Sequence, residues 1–121
     1  MNQYANTKQD IHARIYQFII HCFQDVVRRI PKTTENQPII SQISSSLTSI
    51  GANDNEADAA NSKRDFIAKY TIVKKETKET KYWLSFVQDT QLLDTKIMEP
   101  FIRECQEILL IVSKIIINAN F

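Results

Sequence analysis

Glu76 and Glu79 stand three residues apart in an otherwise apolar series, a spacing that puts two carboxylates on one helix face. Inward-facing glutamates of this kind hold metals in some helical bundles, where a Glu-x-x-His pair completes the ligand set. No histidine follows a glutamate at that spacing here; His12 and His21 lie nine positions apart on different faces of one segment. No metal is expected. The two glutamates are read instead as a structural polar cluster with Asn53 and Glu56, partly buried and hydrogen-bonded across to the second helix so as to set register. Pairing His21 with Cys105, or His12 with Cys22, would give a thiol and a base, but nothing in the sequence orients the base or supplies an oxyanion hole. Both cysteines fall at apolar periodic positions and are expected to be buried free thiols. With one glycine in the chain there is no loop to cradle a phosphate. No catalytic residue, metal or cofactor is expected, and the protein is read as no enzyme.

One further group has a chemistry. Lys63, Lys69, Lys74, Lys75, Lys78 and Lys81 crowd the third predicted helix and, at 100° per residue, are read as one stripe about 120° wide. They are candidate contacts to a nucleic-acid backbone, in which case binding is salt-sensitive and weakly sequence-specific. The alternative is a solvated outer face. No aromatic residue is read as interleaving with these lysines, so a base-stacking platform is not expected.

The composition narrows the fold that must position these groups. Of 121 residues, 43% are hydrophobic and 24% charged, which is ordinary for one globular domain spanning 1–121. One Gly and three Pro cannot supply the turns of an all-β domain, so the fold is expected to be all-helical. Fifteen basic side chains against 14 acidic ones give a net charge of +1, a handicap for a dedicated nucleic-acid binder. The longest apolar run, Ile108 to Val112, is far short of the roughly 20 residues of a membrane span. The polar start and the two widely spaced cysteines point to a cytoplasmic protein with no membrane partner.

Four helices are predicted, over about 8–30, 38–56, 63–89 and 96–118. In the first, Ile11, Ile15, Phe18, Cys22 and Val26 form one series and Tyr16, Ile20, Phe23, Val27 and Ile30 another; together they span an arc of about 200°. Pro38 suits a first helical turn, and Ser62 with Asp65 reads as a capped start to the third helix. That helix carries an unbroken 4-3-4-3 seam of Phe66, Tyr70, Val73, Thr77, Thr80, Leu84 and Val87. The last helix is apolar nearly all round. Two helices with more apolar surface than a monomer buries describe an up-down-up-down four-helix bundle that self-associates.

The run Ser49-Ile50-Gly51-Ala52-Asn53-Asp54-Asn55-Glu56-Ala57, then Ser62-Lys63-Arg64-Asp65-Phe66-Ile67-Ala68-Lys69, resembles the four-helix-bundle proteins encoded in 23S rRNA intervening sequences. Lys75-Glu76-Thr77-Lys78-Glu79-Thr80-Lys81-Tyr82-Trp83-Leu84 is similar to the same family's signature. The resemblance implies an antiparallel, left-handed four-helix bundle assembled as a homopentamer, without established enzymatic activity. Asp54 and Asn55 stand where that family usually continues with apolar or small residues. The function expected is an oligomeric scaffold or adaptor for another protein; the alternative is a pentamer that binds nucleic acid weakly through the lysine stripe.

Overall fold

Pro31 and Pro38 divide the first half of the chain. Ile30, which precedes Pro31, is extended (φ −64°, ψ 127°), as the proline ring requires. The first helix therefore closes earlier than the apolar series suggests. In the computed structural model, which describes the backbone of residues 3–119 and the side chains of residues 11–119, α1 spans Gln3–Asp25 and a separate 3-10 turn spans Val27–Arg29. Val27 and Ile30 are still buried, so the core is reached by the turn instead of by continued helix. Helix α2 (Gln37–Asp58) starts with Pro38 in its first turn, as expected, and runs two residues beyond Glu56.

Helix α3 (Lys63–Asp89) begins where the capping pattern places it, with Ser62 Oγ accepting from the Asp65 N–H at 3.0 Å. It ends in a Schellman arrangement: the Leu92 N–H donates to the Val87 carbonyl and the Gln91 N–H to that of Gln88. Gln91 takes the left-handed conformation this needs (φ 59°), a position usually given to glycine. Helix α4 (Thr95–Ala119) is helical before Pro100, which sits inside it. Asp94 Oδ1 accepts from the Lys96 N–H at 2.9 Å and holds that start in place.

No strand occurs among the described residues. Among the described residues the helix pairs whose backbones approach one another form the ring α1–α2–α3–α4–α1. The core between them includes Ile15, Leu47, Ile50, Val73, Leu84 and Ile108. Six of the seven predicted seam residues on α3 are buried, Phe66 being half-buried. The sole glycine, on α2, faces α1 closely: a Cβ on Gly51 would stand 3.1 Å from Ile19 Cδ1.

Register is held by polar contacts inside the core. Thr80 Oγ1 lies 2.7 Å from Ser46 Oγ on α2, and Cys105 Sγ on α4 donates to the Thr77 carbonyl at 3.3 Å. Asp54 on α2 accepts from Tyr70 on α3. Contacts thus step down α3 as they step up α2. Threonine and serine suit this role, because a buried hydroxyl can also find a carbonyl on its own helix: Thr77 reaches Val73, and Ser46 reaches Ile43.

Candidate functional site

The polar cluster expected from Asn53, Glu56, Glu76 and Glu79 does not form. Asn53 Nδ2 donates within its own helix, to the Ser49 carbonyl at 2.9 Å. Glu56 pairs with Lys69 at 3.2 Å. Glu76 and Glu79 are half-buried, as expected, but neither accepts a side-chain hydrogen bond among the described residues. The physical reason is rotation: the Thr77/Thr80 seam faces inward, which turns the glutamate seam toward the helix flank, where a carboxylate keeps part of its water. Register is set by Ser46–Thr80 and Asp54–Tyr70 instead.

Partial burial, and then the neighbouring Glu79 charge, raise the Glu76 carboxyl above its ordinary range, with Lys75 opposing. A carboxyl shifted upward on folding weakens the folded state when ionised. That penalty is absent below the unfolded titration range, near pH 4, and grows as pH rises to the folded value, above which it is complete. Glu76→Gln should therefore raise Tm at pH 7 by about 2 °C or less, and the gain should vanish near pH 3. Thermal melts at the two pH values check this; a loss of stability at pH 7 would mean that Glu76 has a partner.

The six lysines separate, and at 100° per residue they span about 240° instead of the expected arc of about 120°, with Lys69 on the side away from the other five. Lys63, Lys74, Lys75 and Lys78 are exposed on α3. Lys69 is turned toward α2 by its pairing with Glu56, and Lys81 donates to Gln106 on α4. Two neighbours missing from the lysine stripe lie on the exposed face: Arg64 and Tyr82, the latter 64% exposed. Tyr82 is seven residues from Lys75 and four from Lys78, so helical spacing alone could have revealed it. An aromatic residue does interleave with the lysines, contrary to the sequence expectation.

A buried polar constellation sits where α1, α2 and α3 meet. Asp54 Oδ1 lies 2.8 Å from His12 Nδ1 and accepts from the Tyr70 hydroxyl at 2.7 Å. His12 Nε2 is 3.5 Å from Asp58 Oδ1. Burial, then the hydrogen bond to Asp54, push the Tyr70 hydroxyl well above the usual tyrosine range, so it remains a donor. His12, Asp54 and Asp58 line a groove of about 370 Å³ between α1 and α2, together with Tyr16, Gly51 and Thr48. Among the described residues the imidazole has a carboxylate partner, and the Thr48 hydroxyl that lines the same groove is given to the Ser45 carbonyl. None of these contacts follows from helical periodicity, although Asp54 was visible as a departure from the family pattern.

A second groove, of about 570 Å³, runs between α1 and α4 past Phe18, His21, Pro100 and Phe101. Arg14 closes one end, donating through Nε to Glu104 at 2.9 Å and through Nη2 to Glu107 at 2.6 Å. Glu104 chiefly holds the guanidinium in its charged form. The cysteines are elsewhere. Cys22 and Cys105 are both free and buried, and desolvation pushes the Cys105 thiol up to about 12 and raises Cys22 as well, so neither is a thiolate nucleophile. Among the described residues no three His, Cys, Asp or Glu side chains converge as a metal site, and no helix is long and apolar enough to cross a membrane.

Fold and side chains together define an all-α helical bundle with polar contacts between its helices. The chain belongs to the 23S rRNA-intervening sequence protein family, whose model matches residues 7–114. It is similar to a crystal structure from Bacteroides thetaiotaomicron VPI-5482, described as a protein of unknown function from the S23 ribosomal protein family. The two are 30% identical, with a TM-score of 0.80, over 88% of this chain and 97% of that one. No curated protein matches the sequence. Neither description names a catalytic activity.

Proposed function

We propose that this protein is a non-enzymatic scaffold or adaptor for another protein: an antiparallel, up-down-up-down, left-handed four-helix bundle that assembles into a homopentamer. The observation that carries this reading is apolar surface left over once the core is closed. Tyr16 on α1 is 65% exposed, and Leu110 and Ile117 on α4 are each 59% exposed. Leu110 and Ile117 are seven residues apart and share one side of their helix. Exposed apolar residues grouped on the faces of two helices favour association over a free monomer. The number five rests on the family resemblance. Light scattering after size exclusion should give five times the 14.1-kDa chain mass at micromolar concentration. A particle of one chain mass would overturn the reading. Two unpaired buried cysteines suit a reducing compartment, and we place the protein in the cytoplasm.

A second reading has its own observation. Lys74, Lys75 and Lys78 are exposed on α3 and make no ion pair with a described carboxylate. Such a face attracts phosphate. With a net charge of +1, binding should be weak and non-specific, with Kd about 10⁻⁴ to 10⁻⁶ M at physiological salt. Filter binding at about 150 mM salt measures it, and nanomolar affinity there would reverse the order of the two readings.

A further inference from the structure

We propose that the solvent face of α3 is a binding strip for single-stranded nucleic acid, on which Tyr82 stacks against an unpaired base while Arg64, Lys75 and Lys78 contact phosphates. The proposal rests on the second reading above and gives it a defined surface. Arg64, Ala68, Thr71, Lys75, Lys78 and Tyr82 follow one another in steps of four, three, four, three and four residues, which keeps them on one helix face. All six are exposed. At 1.5 Å rise per residue the strip is about 27 Å long, enough for several nucleotides.

Three features favour a single strand. Arg64, Lys75 and Lys78 form no close ion pair with a described carboxylate, although Lys75 is near enough to Glu76 to favour its charged form. The ring of Tyr82 is 64% exposed and meets Trp83 at 4.9 Å and 89°, an edge contact, with no parallel-stacked neighbour among the described residues. Such a ring offers a base the π-face that stacking needs, and only an unpaired base can reach it. Finally, none of Arg64, Lys75, Lys78 or Tyr82 lines either groove described above, where an acidic protein segment could seat its apolar side chains. Phosphate contact and stacking need no pocket. Asp89, exposed seven residues beyond Tyr82, repels phosphate and marks the end of the strip, so the bound strand runs from Tyr82 toward Arg64. Tyr16, Leu110 and Ile117, the residues proposed for self-association, lie on α1 and α4 and not on this strip.

Fluorescence anisotropy on the full chain, with a labelled single-stranded oligonucleotide and the same strand annealed to its complement, tests the proposal from about 50 to 200 mM salt. The single strand should bind more tightly than the duplex. Tyr82→Ala should weaken single-strand binding about fivefold or more with the salt dependence unchanged, and Tyr82→Phe should retain it. Lys75→Gln and Lys78→Gln should each flatten the logarithmic salt dependence by about 0.7. These positions are exposed, so thermal melts of the variants should match the parent protein. Equal binding of both forms, insensitive to Tyr82→Ala, would overturn the stacking strip while leaving simple electrostatic binding standing. No binding at the lowest salt would overturn both. A polyglutamate peptide bound more tightly than the oligonucleotide would assign the face to an acidic protein segment and overturn the proposal.

Discussion

Asp54→Ala is expected to lower stability by about 3 kcal/mol, because it strips one buried oxygen from two donors at once. Asp54 Oδ1 serves Tyr70 on α3 and His12 on α1, so a single carboxylate ties three helices together. Tyr70 is fully buried, and without Asp54 its hydroxyl is left with no described partner. That unsatisfied group is the larger part of the loss. Tyr70→Phe removes the donor along with the bond and should cost about 1 kcal/mol, well under the alanine variant. Replacing His12, Asp54 and Tyr70 together by Leu, Leu and Phe should recover much of the difference, as apolar substitutes for buried polar groups often do. Denaturant unfolding at a fixed protein concentration measures all three, since self-association would otherwise shift the midpoint. A change below about 1 kcal/mol for Asp54→Ala would mean that water replaces the carboxylate.

Leu110→Glu combined with Ile117→Glu is expected to dissociate the assembly into single chains that keep their helical circular dichroism. Burying an aliphatic side chain of this size contributes about 1.5–3 kcal/mol, and a charge in its place would be desolvated without a partner. Both residues point away from the core of their own chain, so the fold should survive the change. Tyr16→Glu tests α1 in the same way. Tyr82→Ala, on the face of α3, should leave the particle mass unchanged. If the double glutamate variant kept the parent mass, the interface would have to lie elsewhere, with the half-buried Trp83 and Phe86 of α3 as the next surface to alter.

Helix number, type and most boundaries were legible because they depend on local chemistry. Pro38 suits the first turn of α2, Ser62 with Asp65 caps α3, and the 4-3 spacing of Tyr70, Val73, Thr77, Thr80 and Leu84 names the buried face of α3 without knowledge of its neighbours. The surplus apolar residues on α1 and α4 were legible for the same reason, and Tyr16, Leu110 and Ile117 remain exposed. Even the tyrosine among the lysines was within reach, since its spacing from Lys75 and Lys78 is itself helical.

What periodicity could not supply was the pairing between helices. A wheel gives the direction of a side chain but not the residue across from it, and translation along a neighbouring axis is free until the core packs. Glu76 and Glu79 therefore looked like register-setting groups, while that role falls to hydroxyls at Ser46 and Thr80 and to the carboxylate of Asp54. Lys81 looked like a member of one cationic face, until packing set Gln106 beside it, whereas Lys69 stands about 120° from its nearest stripe neighbour on the wheel itself. His12, Asp54 and Tyr70 are 42 and 16 residues apart along the chain and share one oxygen atom in space. Local sequence determined which side chains turn inward; only the stacking of four helices decided which polar groups meet there, because that depends on distances between residues with no local spacing in common.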